Sequence, residues 1–193
     1  MKYDNKRVVL HWWQSLILAD NELDYLDVKP LPKSYRCQLR RCDSVDKVIM
    51  TEAFRSLWQA LDKTKSEYDQ PYMLECWATI ASVLPYVKED NETTLAKASG
   101  KRSARYKPVV SEIRFAQLQS SQSANEFSRR MRDVIQLIKG KLAVTSLAED
   151  IQSWFQEKNQ LQPRSAENRI AVNWAMEYYS IINTPNSVEK IKD

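Results

Sequence analysis

The sequence predicts an all-α protein built from two small helical bundle domains joined by a basic connector. Apolar residues recur at the i, i+3, i+4, i+7 spacing of helices, and no stretch shows the alternation of a strand bounded by turn dipeptides. Only two glycines, Gly100 and Gly140, occur among 193 residues, which disfavours β-hairpins because their tight turns depend on glycine. We place the domains at residues 1–95 and 111–193, with the basic linker at residues 96–110.

Four helices are predicted in the N-terminal half. The first has an apolar face formed by Val9, Trp12, Trp13, Leu16 and Ile17. This spacing predicts that both tryptophans face a core rather than stack on bases. A short helix over about residues 34–41 would place Arg36 and Arg40 on one face. Asp43 or Ser44 is expected to cap a third helix, whose apolar stripe is Phe54, Leu57, Trp58 and Leu61. Pro71 is expected to open a fourth helix, which Pro85 ends.

Four more helices are predicted in the C-terminal half, after a polar stretch at residues 88–107. The string SEIRFAQL begins the first of them at Ser111. A helix after Ser123 has an apolar side, and the helical angle places an exposed ridge of cations opposite it, formed by Arg129, Arg132 and Lys139. Ser146 to Glu149 matches a capping box that would open the next helix. The last helix is predicted at about residues 166–182.

Positive charge is concentrated in the middle of the chain. Residues 97–141 contain eleven Lys and Arg against three acidic residues, a balance of +8, whereas the whole chain carries +4 and the remainder therefore carries −4. A basic block of this kind is typical of a nucleic-acid-binding face. A solvated loop and helix surface would produce the same pattern, so charge alone leaves both interpretations open.

The candidate nucleic-acid-binding residues are Arg36, Arg40, Arg41, Lys101, Arg102, Arg105, Lys107, Arg114, Arg129, Arg132 and Lys139. We expect them to contact the sugar-phosphate backbone without reading sequence, because phosphate contacts position a strand and base-edge contacts specify it. Arg40 and Arg41 also suit the C-terminal dipole of their short helix, which leaves a capping role open. Tyr106 is a candidate for stacking on a base, with packing as the alternative.

The composition disfavours most enzyme classes. Two distant glycines exclude phosphate-cradling loops, and a single histidine, His11, excludes a multi-histidine metal site. We therefore expect no catalytic residues, no cofactor and no metal. The odd number of cysteines, Cys37, Cys42 and Cys76, suggests buried thiols in a reducing, cytoplasmic compartment. The uncharged run at residues 8–19 is shorter than the roughly 18 apolar residues of a membrane span.

Several short strings, in this order, resemble a known family: HWWQSL, RCQLRRC, SEIRFAQL, RRMRDVIQLI, LAEDIQSWF and WAMEYY. Over about residues 8–182 the chain resembles the CasB small subunit of the type I-E CRISPR Cascade complex. The resemblance implies a non-catalytic, two-domain helical protein that forms a head-to-tail pair. Its implied partners are the backbone and large Cascade subunits, the guide RNA, and target DNA including the displaced strand, which it would help to hold in the R-loop.

The resemblance also assigns individual residues. Arg40 and Arg41 match the family's paired arginine, Arg114 matches the arginine of its S-E-x-R-F string, and Arg132 matches a basic position in the following helix. The chain departs from the family pattern near residues 159–169, and Lys158, Arg164 and Arg169 are the candidates for a basic loop there. The alternative function is an α-helical protein–protein adaptor whose basic face meets an acidic partner.

Overall fold

The computed structural model describes residues 1, 3–62, 70–103, 107–160 and 162–183, and in these ranges the fold is all-α as predicted. The α-helices are α1 (Tyr3–Ile17), α2 (Asp20–Tyr25), α3 (Ser34–Arg41), α4 (Val45–Ile49), α5 (Glu52–Ala60), α6 (Met73–Val83), α7 (Leu95–Gly100), α8 (Glu112–Gln119), α9 (Ala124–Leu137), α10 (Val144–Lys158) and α11 (Ile170–Ile182). Short 3-10 helices occupy Leu84–Tyr86 and Ala166–Asn168. Extended pairing in these ranges is limited to two isolated bridges, at Glu89 with Lys141 and at Arg102 with Pro108.

Helix α1 packs with its two tryptophans in the core, which confirms the sequence prediction. Val9, Trp12 and Trp13 are all buried. Each indole also has a hydrogen-bond acceptor: Trp12 Nε1 donates to Ser56 Oγ at 2.9 Å, and Trp13 Nε1 donates to the Val87 carbonyl at 3.2 Å. Both rings are thereby fixed in the interior and are not accessible for stacking on bases.

Ser44 caps a helix as predicted, but the prediction of one helix carrying the stripe from Phe54 to Leu61 is wrong, because the chain contains two capped helices there. The Ser44 hydroxyl accepts a hydrogen bond from the Lys47 amide at the start of α4, and the Thr51 hydroxyl accepts one from the Phe54 amide at the start of α5. Asp43 pairs with the Lys47 ammonium instead of capping the helix. Thr51 is thus a second N-cap residue within the predicted helix.

Helix α6 lies at the centre of the fold, since every residue from Cys76 to Val83 is buried. It packs against α4, α9 and α10. The Ser82 and Ser128 hydroxyls meet at 2.7 Å where α6 crosses α9, so these two buried polar groups satisfy each other. The predicted limits shift slightly: α6 begins two residues after Pro71, and Pro85 lies within the following 3-10 turn.

The predicted linker contains a buried helix. Helix α7 packs along α11, and a Cβ added at Gly100 would lie 2.6 Å from the Tyr178 carbonyl, which explains the glycine at this contact. The following chain folds back, with the Val110 amide donating to the Ser99 carbonyl and the Tyr178 hydroxyl donating to the Val110 carbonyl. The buried apolar side chains form one cluster from Val9 to Tyr178. The division into two domains stays a prediction.

The capping box predicted at Ser146 is wrong, because α10 begins at Val144, ahead of the predicted cap. The Val144 amide donates to Asp90 Oδ1 at 2.8 Å, and the Ala143 amide donates to the Thr93 carbonyl at 2.9 Å. Acceptors from a distant segment therefore satisfy the first amides of the helix, and a local cap is not needed.

Candidate nucleic-acid interface

Four cations from three separate parts of the chain converge on one pocket, which we call the basic pocket. Arg36 and Arg40 reach it from α3, Lys88 from the segment after the 3-10 turn, and Lys139 from the turn that follows α9. The pocket encloses about 170 Å³, and its remaining lining residues are Pro85, Tyr86, Gln136 and Gly140. No carboxylate of the described residues lines the pocket. None of its four cations forms an ion pair with a described acidic residue.

A tight turn at the end of α9 positions Lys139. The Lys139 amide donates to the Gln136 carbonyl at 3.0 Å and the Gly140 amide donates to the Ile135 carbonyl at 2.8 Å, the two bonds of a Schellman motif. Lys139 has φ of 61° and Gly140 has φ of 73°. The residue that follows the helix C-cap in this motif is usually glycine, and here it is Lys139. The positive φ strains the lysine backbone, and the side chain lies at the rim of the pocket.

Gly140 also joins the turn to the segment that carries Lys88. Its carbonyl accepts hydrogen bonds from the Lys88 amide at 2.8 Å and the Glu89 amide at 3.1 Å. A Cβ at this position would lie 2.6 Å from the Tyr86 carbonyl, a distance that side chains do not tolerate. Both the close approach and the positive φ therefore require glycine.

Two guanidinium groups lie over the Tyr86 ring. The guanidinium carbon of Arg40 is 5.0 Å from the ring centroid and that of Arg132 is 5.6 Å away. The Tyr86 hydroxyl donates to the Arg40 carbonyl at 3.3 Å. Cation–π contacts of this kind orient a charged side chain, and here they direct Arg40 at the pocket.

The electrostatics of the basic pocket favour an anion. Burial lowers the pKa of the Arg36 guanidinium, and the charge of Arg40 lowers it further. Arg36 Nε donates to the Pro85 carbonyl at 3.4 Å, which holds the side chain beside Arg40. Because arginine stays charged in proteins, the two like charges remain close together, and an entering anion would relieve their repulsion.

A larger groove adjoins the basic pocket, and we call it the α8/α9 groove. It encloses about 600 Å³ and is lined by Arg114, Gln117, Arg129, Arg130, Asp133, Val134, Gln136 and Leu137. Gln136 lines both cavities. The structure therefore brings five of the predicted residues to one connected surface: Arg36, Arg40, Arg114, Arg129 and Lys139.

The predicted exposed ridge of Arg129, Arg132 and Lys139 is wrong for Arg132, which is half-buried. Its Nε donates to the Ser82 carbonyl at 3.1 Å and its Nη1 donates to the Cys42 carbonyl at 2.8 Å. Helix α9 packs against α4 and α6 as well as α8, and Arg132 lies on the side of α9 that contacts α6. Arg132 connects the end of α3 to α6 and α9.

Several predicted residues lie away from this surface. Lys101, Arg102 and Lys107 occupy the loop after α7, where Arg102 Nη2 donates to the Ile182 carbonyl at the end of α11. Arg41 is exposed at the end of α3 but lines neither cavity. Arg105 and Tyr106 lie outside the described residues.

The three candidates for the basic loop, Lys158, Arg164 and Arg169, make local contacts. Arg164 Nη2 donates to Gln156 Oε1 at 3.1 Å, and Arg169 Nε donates to the Arg164 carbonyl at 3.0 Å. Lys158 Nζ donates to Gln122 Oε1 at 3.0 Å. These side chains stay candidates by resemblance, and none of them lines the basic pocket or the groove.

Tyr86, Lys88 and Arg130 line the two cavities but were not predicted from the sequence. In the sequence Lys88 belongs to a polar stretch with no further signal, and Tyr86 follows Pro85 with no local pattern that marks a site. Arg130 neighbours two candidates, and its contacts with α8 could not be read from the helical angle alone. One cysteine prediction is also wrong, since Cys42 and Cys76 are buried but Cys37 is exposed.

The described part of the chain contains no group of three or more His, Cys, Asp or Glu side chains able to hold a metal ion. Among the same residues, no helix combines the length and the apolar character that crossing a membrane requires.

Comparison with known proteins identifies one family. The family model described as CRISPR-associated protein Cse2 matches residues 35–179, about three quarters of the chain. This range begins in α3 and ends in α11, so it includes every lining residue of both cavities. No curated protein and no solved structure gives a significant match.

Proposed function

The chain belongs to the CRISPR-associated Cse2 family, and from this membership we propose that it holds the displaced DNA strand of the Cascade R-loop by its phosphates. Cse2 is the small subunit, CasB, of type I-E Cascade, and the family is a structural subunit of that complex. The chain is therefore a Cascade subunit in CRISPR defence. The proposed strand-holding surface is the basic pocket together with the α8/α9 groove.

The observation that carries the proposal is the convergence of four cations in a pocket that is lined by no carboxylate of the described residues. Such a site attracts the phosphates of any sequence, because cations neutralise backbone charge and release counterions. R-loop formation exchanges one duplex for another at nearly equal free energy, so a few backbone contacts on the displaced strand are enough to shift the balance. Base pairing with the guide supplies specificity, which this chain need not provide.

We further propose that the chain's partners are the other Cascade subunits, the guide RNA and target DNA, and that two copies act in each complex. Arg41, Lys101, Arg102, Arg105 and Lys107 remain proposed contacts for nucleic acid outside the basic pocket. Arg41 at the end of α3 and the cations described in the loop after α7 are exposed. They would extend the path of the strand beyond the two cavities.

The test is the lifetime of the R-loop formed by Cascade assembled with the double variant Arg40→Glu/Lys139→Glu. We expect the lifetime to fall about tenfold or more at physiological salt, since each lost phosphate contact weakens binding. The slope of log affinity against log salt for the displaced strand should decrease by about 1.4, because single-strand binding has a slope of about −0.7 per phosphate contact. Both effects follow from losing two cations of the pocket.

Arg55→Glu is the matched control for each charge reversal. Arg55 is exposed on α5, pairs with Glu52 and lines neither cavity, so its reversal should leave the R-loop lifetime unchanged. An unchanged lifetime in the double variant, with normal assembly, would contradict the proposal. Loss of binding to an acidic Cascade subunit, with the DNA contacts intact, would instead support the protein–protein adaptor.

A further inference from the structure

We propose that the α8/α9 groove accepts an unstacked nucleobase of the strand whose phosphates the basic pocket holds. This inference rests on the proposed function and assigns a second ligand chemistry to the same surface. A protein that contacted only phosphates would bind a strand without bases as tightly as a strand that carries them. The groove differs from the basic pocket in the kinds of side chain that line it.

The groove combines the three kinds of group that bind a base. Val134 and Leu137 form an apolar wall, Gln117 and Gln136 supply amide donors and acceptors, and Arg114, Arg129 and Arg130 carry planar guanidinium groups. Unstacked bases bind proteins by stacking on aromatic or guanidinium planes and by hydrogen bonding at their edges. The volume of about 600 Å³ falls within the range of small-molecule sites, about 300–1,000 Å³.

Arg130 is the guanidinium best prepared to stack on a base. It is half-buried, forms an ion pair with Glu126 at 2.8 Å, and also donates to the Gln117 carbonyl. The Glu126 carboxylate is itself fixed by the Gln122 amide at 2.8 Å, and that hydrogen bond, with the charge of Arg130, lowers the pKa of Glu126. A guanidinium already held in place loses little conformational entropy when a base stacks on it.

Gln136 connects the groove to the basic pocket. It lies in the last turn of α9, and this one residue lines both cavities. A phosphate beside Lys139 in the basic pocket and a base against Leu137 in the groove would therefore belong to neighbouring parts of one strand. Duplex DNA keeps its bases stacked in its interior, so this arrangement selects for a single strand, as the displaced strand of an R-loop is.

The experiment compares two oligonucleotides of equal charge on the full chain, at about 12 nucleotides, within the range of single-strand sites. One is oligothymidylate, and the other carries an abasic tetrahydrofuran at every position. Binding is measured by fluorescence anisotropy between about 50 and 200 mM salt. We expect the abasic strand to bind at least about fivefold more weakly, because it loses the stacking of its bases on the protein.

Arg130→Lys keeps the charge and removes the planar group, so it should reduce this preference below about twofold while the salt slope stays unchanged. Leu137→Ser tests the apolar wall independently and should reduce the preference in the same way. Arg55→Lys is the matched control and should leave the preference at its wild-type value. Circular dichroism of each variant reports whether the helices remain folded.

Each outcome decides between the two proposals. Equal, salt-sensitive binding of both oligonucleotides would overturn the base site and leave the proposed function standing. A full preference for the base-carrying strand in both Arg130→Lys and Leu137→Ser would overturn the location of the site. Absence of salt-sensitive binding by either oligonucleotide would overturn the proposed function itself, and the base site with it.

Discussion

Replacing Asp150 with asparagine should stabilise the protein at alkaline pH. The Asp150 side chain, on α10, accepts a hydrogen bond from Trp174 Nε1 of α11 at 2.9 Å. Its pKa is raised from 3.8 to about 7, chiefly by burial and also by the charges of Glu177 and Glu149, against the lowering effect of the Trp174 hydrogen bond. Above neutral pH the folded chain therefore holds a poorly solvated carboxylate.

The sign and size of the effect follow from this pKa. Between about pH 4 and pH 7 the folded chain binds the Asp150 proton more tightly than the unfolded chain, so the free energy of unfolding falls as pH rises through this range. A shift from 3.8 to about 7 corresponds to roughly 4 kcal/mol at 1.36 kcal/mol per pKa unit. Because Asp150 is only half-buried, we expect about half of this value, roughly 2 kcal/mol.

The asparagine of the Asp150→Asn variant would keep an amide oxygen to accept the Trp174 hydrogen bond but could not ionise. Urea unfolding followed by tryptophan fluorescence measures the free energy of unfolding. At pH 8 the variant should be about 2 kcal/mol more stable than the wild type, and at pH 4.5 the difference should be below about 1 kcal/mol. The stabilisation should thus appear only as pH rises.

Asp133→Asn is the matched control, since Asp133 is an exposed carboxylate on α9. It should change stability by less than about 0.5 kcal/mol at both pH values. The raised pKa of Asp150 is refuted if Asp150→Asn is no more stable than the wild type at pH 8, or if its advantage is the same at pH 4.5.

Three further variants test the roles assigned to the cations of α9 and of the turn that follows it. Arg132→Ala should lower the free energy of unfolding by roughly 2–4 kcal/mol, because it removes charged donors from two backbone carbonyls. Arg129→Ala, at an exposed site, should change stability by less than about 0.5 kcal/mol but weaken strand binding; similar stability losses in both would contradict the structural role of Arg132. Lys139→Gly should raise stability by about 1 kcal/mol, because it relieves a φ of 61° at a non-glycine residue. The same change should reduce the salt slope of strand binding by about 0.7; an unaltered slope would remove Lys139 from the phosphate contacts.

Local signals in the sequence were sufficient to predict most helices. The bounds of α3 and the start of α9 follow from features within a few residues, such as the Ser123 hydroxyl that accepts from the Glu126 amide. Periodicity also identified Trp12 and Trp13 as core residues, because a helix with one apolar face must bury it. Helix bounds and core positions that depend on a residue and its near neighbours could therefore be predicted from the sequence.

The errors occurred where distant segments meet. The start of α10 depends on Asp90, which lies 54 residues from Val144, and no local pattern reveals such a contact. Arg132 lies opposite the apolar stripe of α9, but its position is determined by Ser82, 50 residues away. The basic pocket likewise combines residues near positions 36, 88 and 139. Charge counting located the basic block but could not say which cations share a cavity.

The basic pocket exists only when three distant stretches of the chain are folded together, and this couples ligand occupancy to conformational stability. Any phosphate-bearing ligand that recognises the assembled pocket binds the native state and not the unfolded chain. At a free concentration about a hundredfold above Kd, such a ligand adds about 2.7 kcal/mol to the free energy of unfolding. Bound DNA would then protect the protein against denaturation and proteolysis for as long as the strand remained in the pocket.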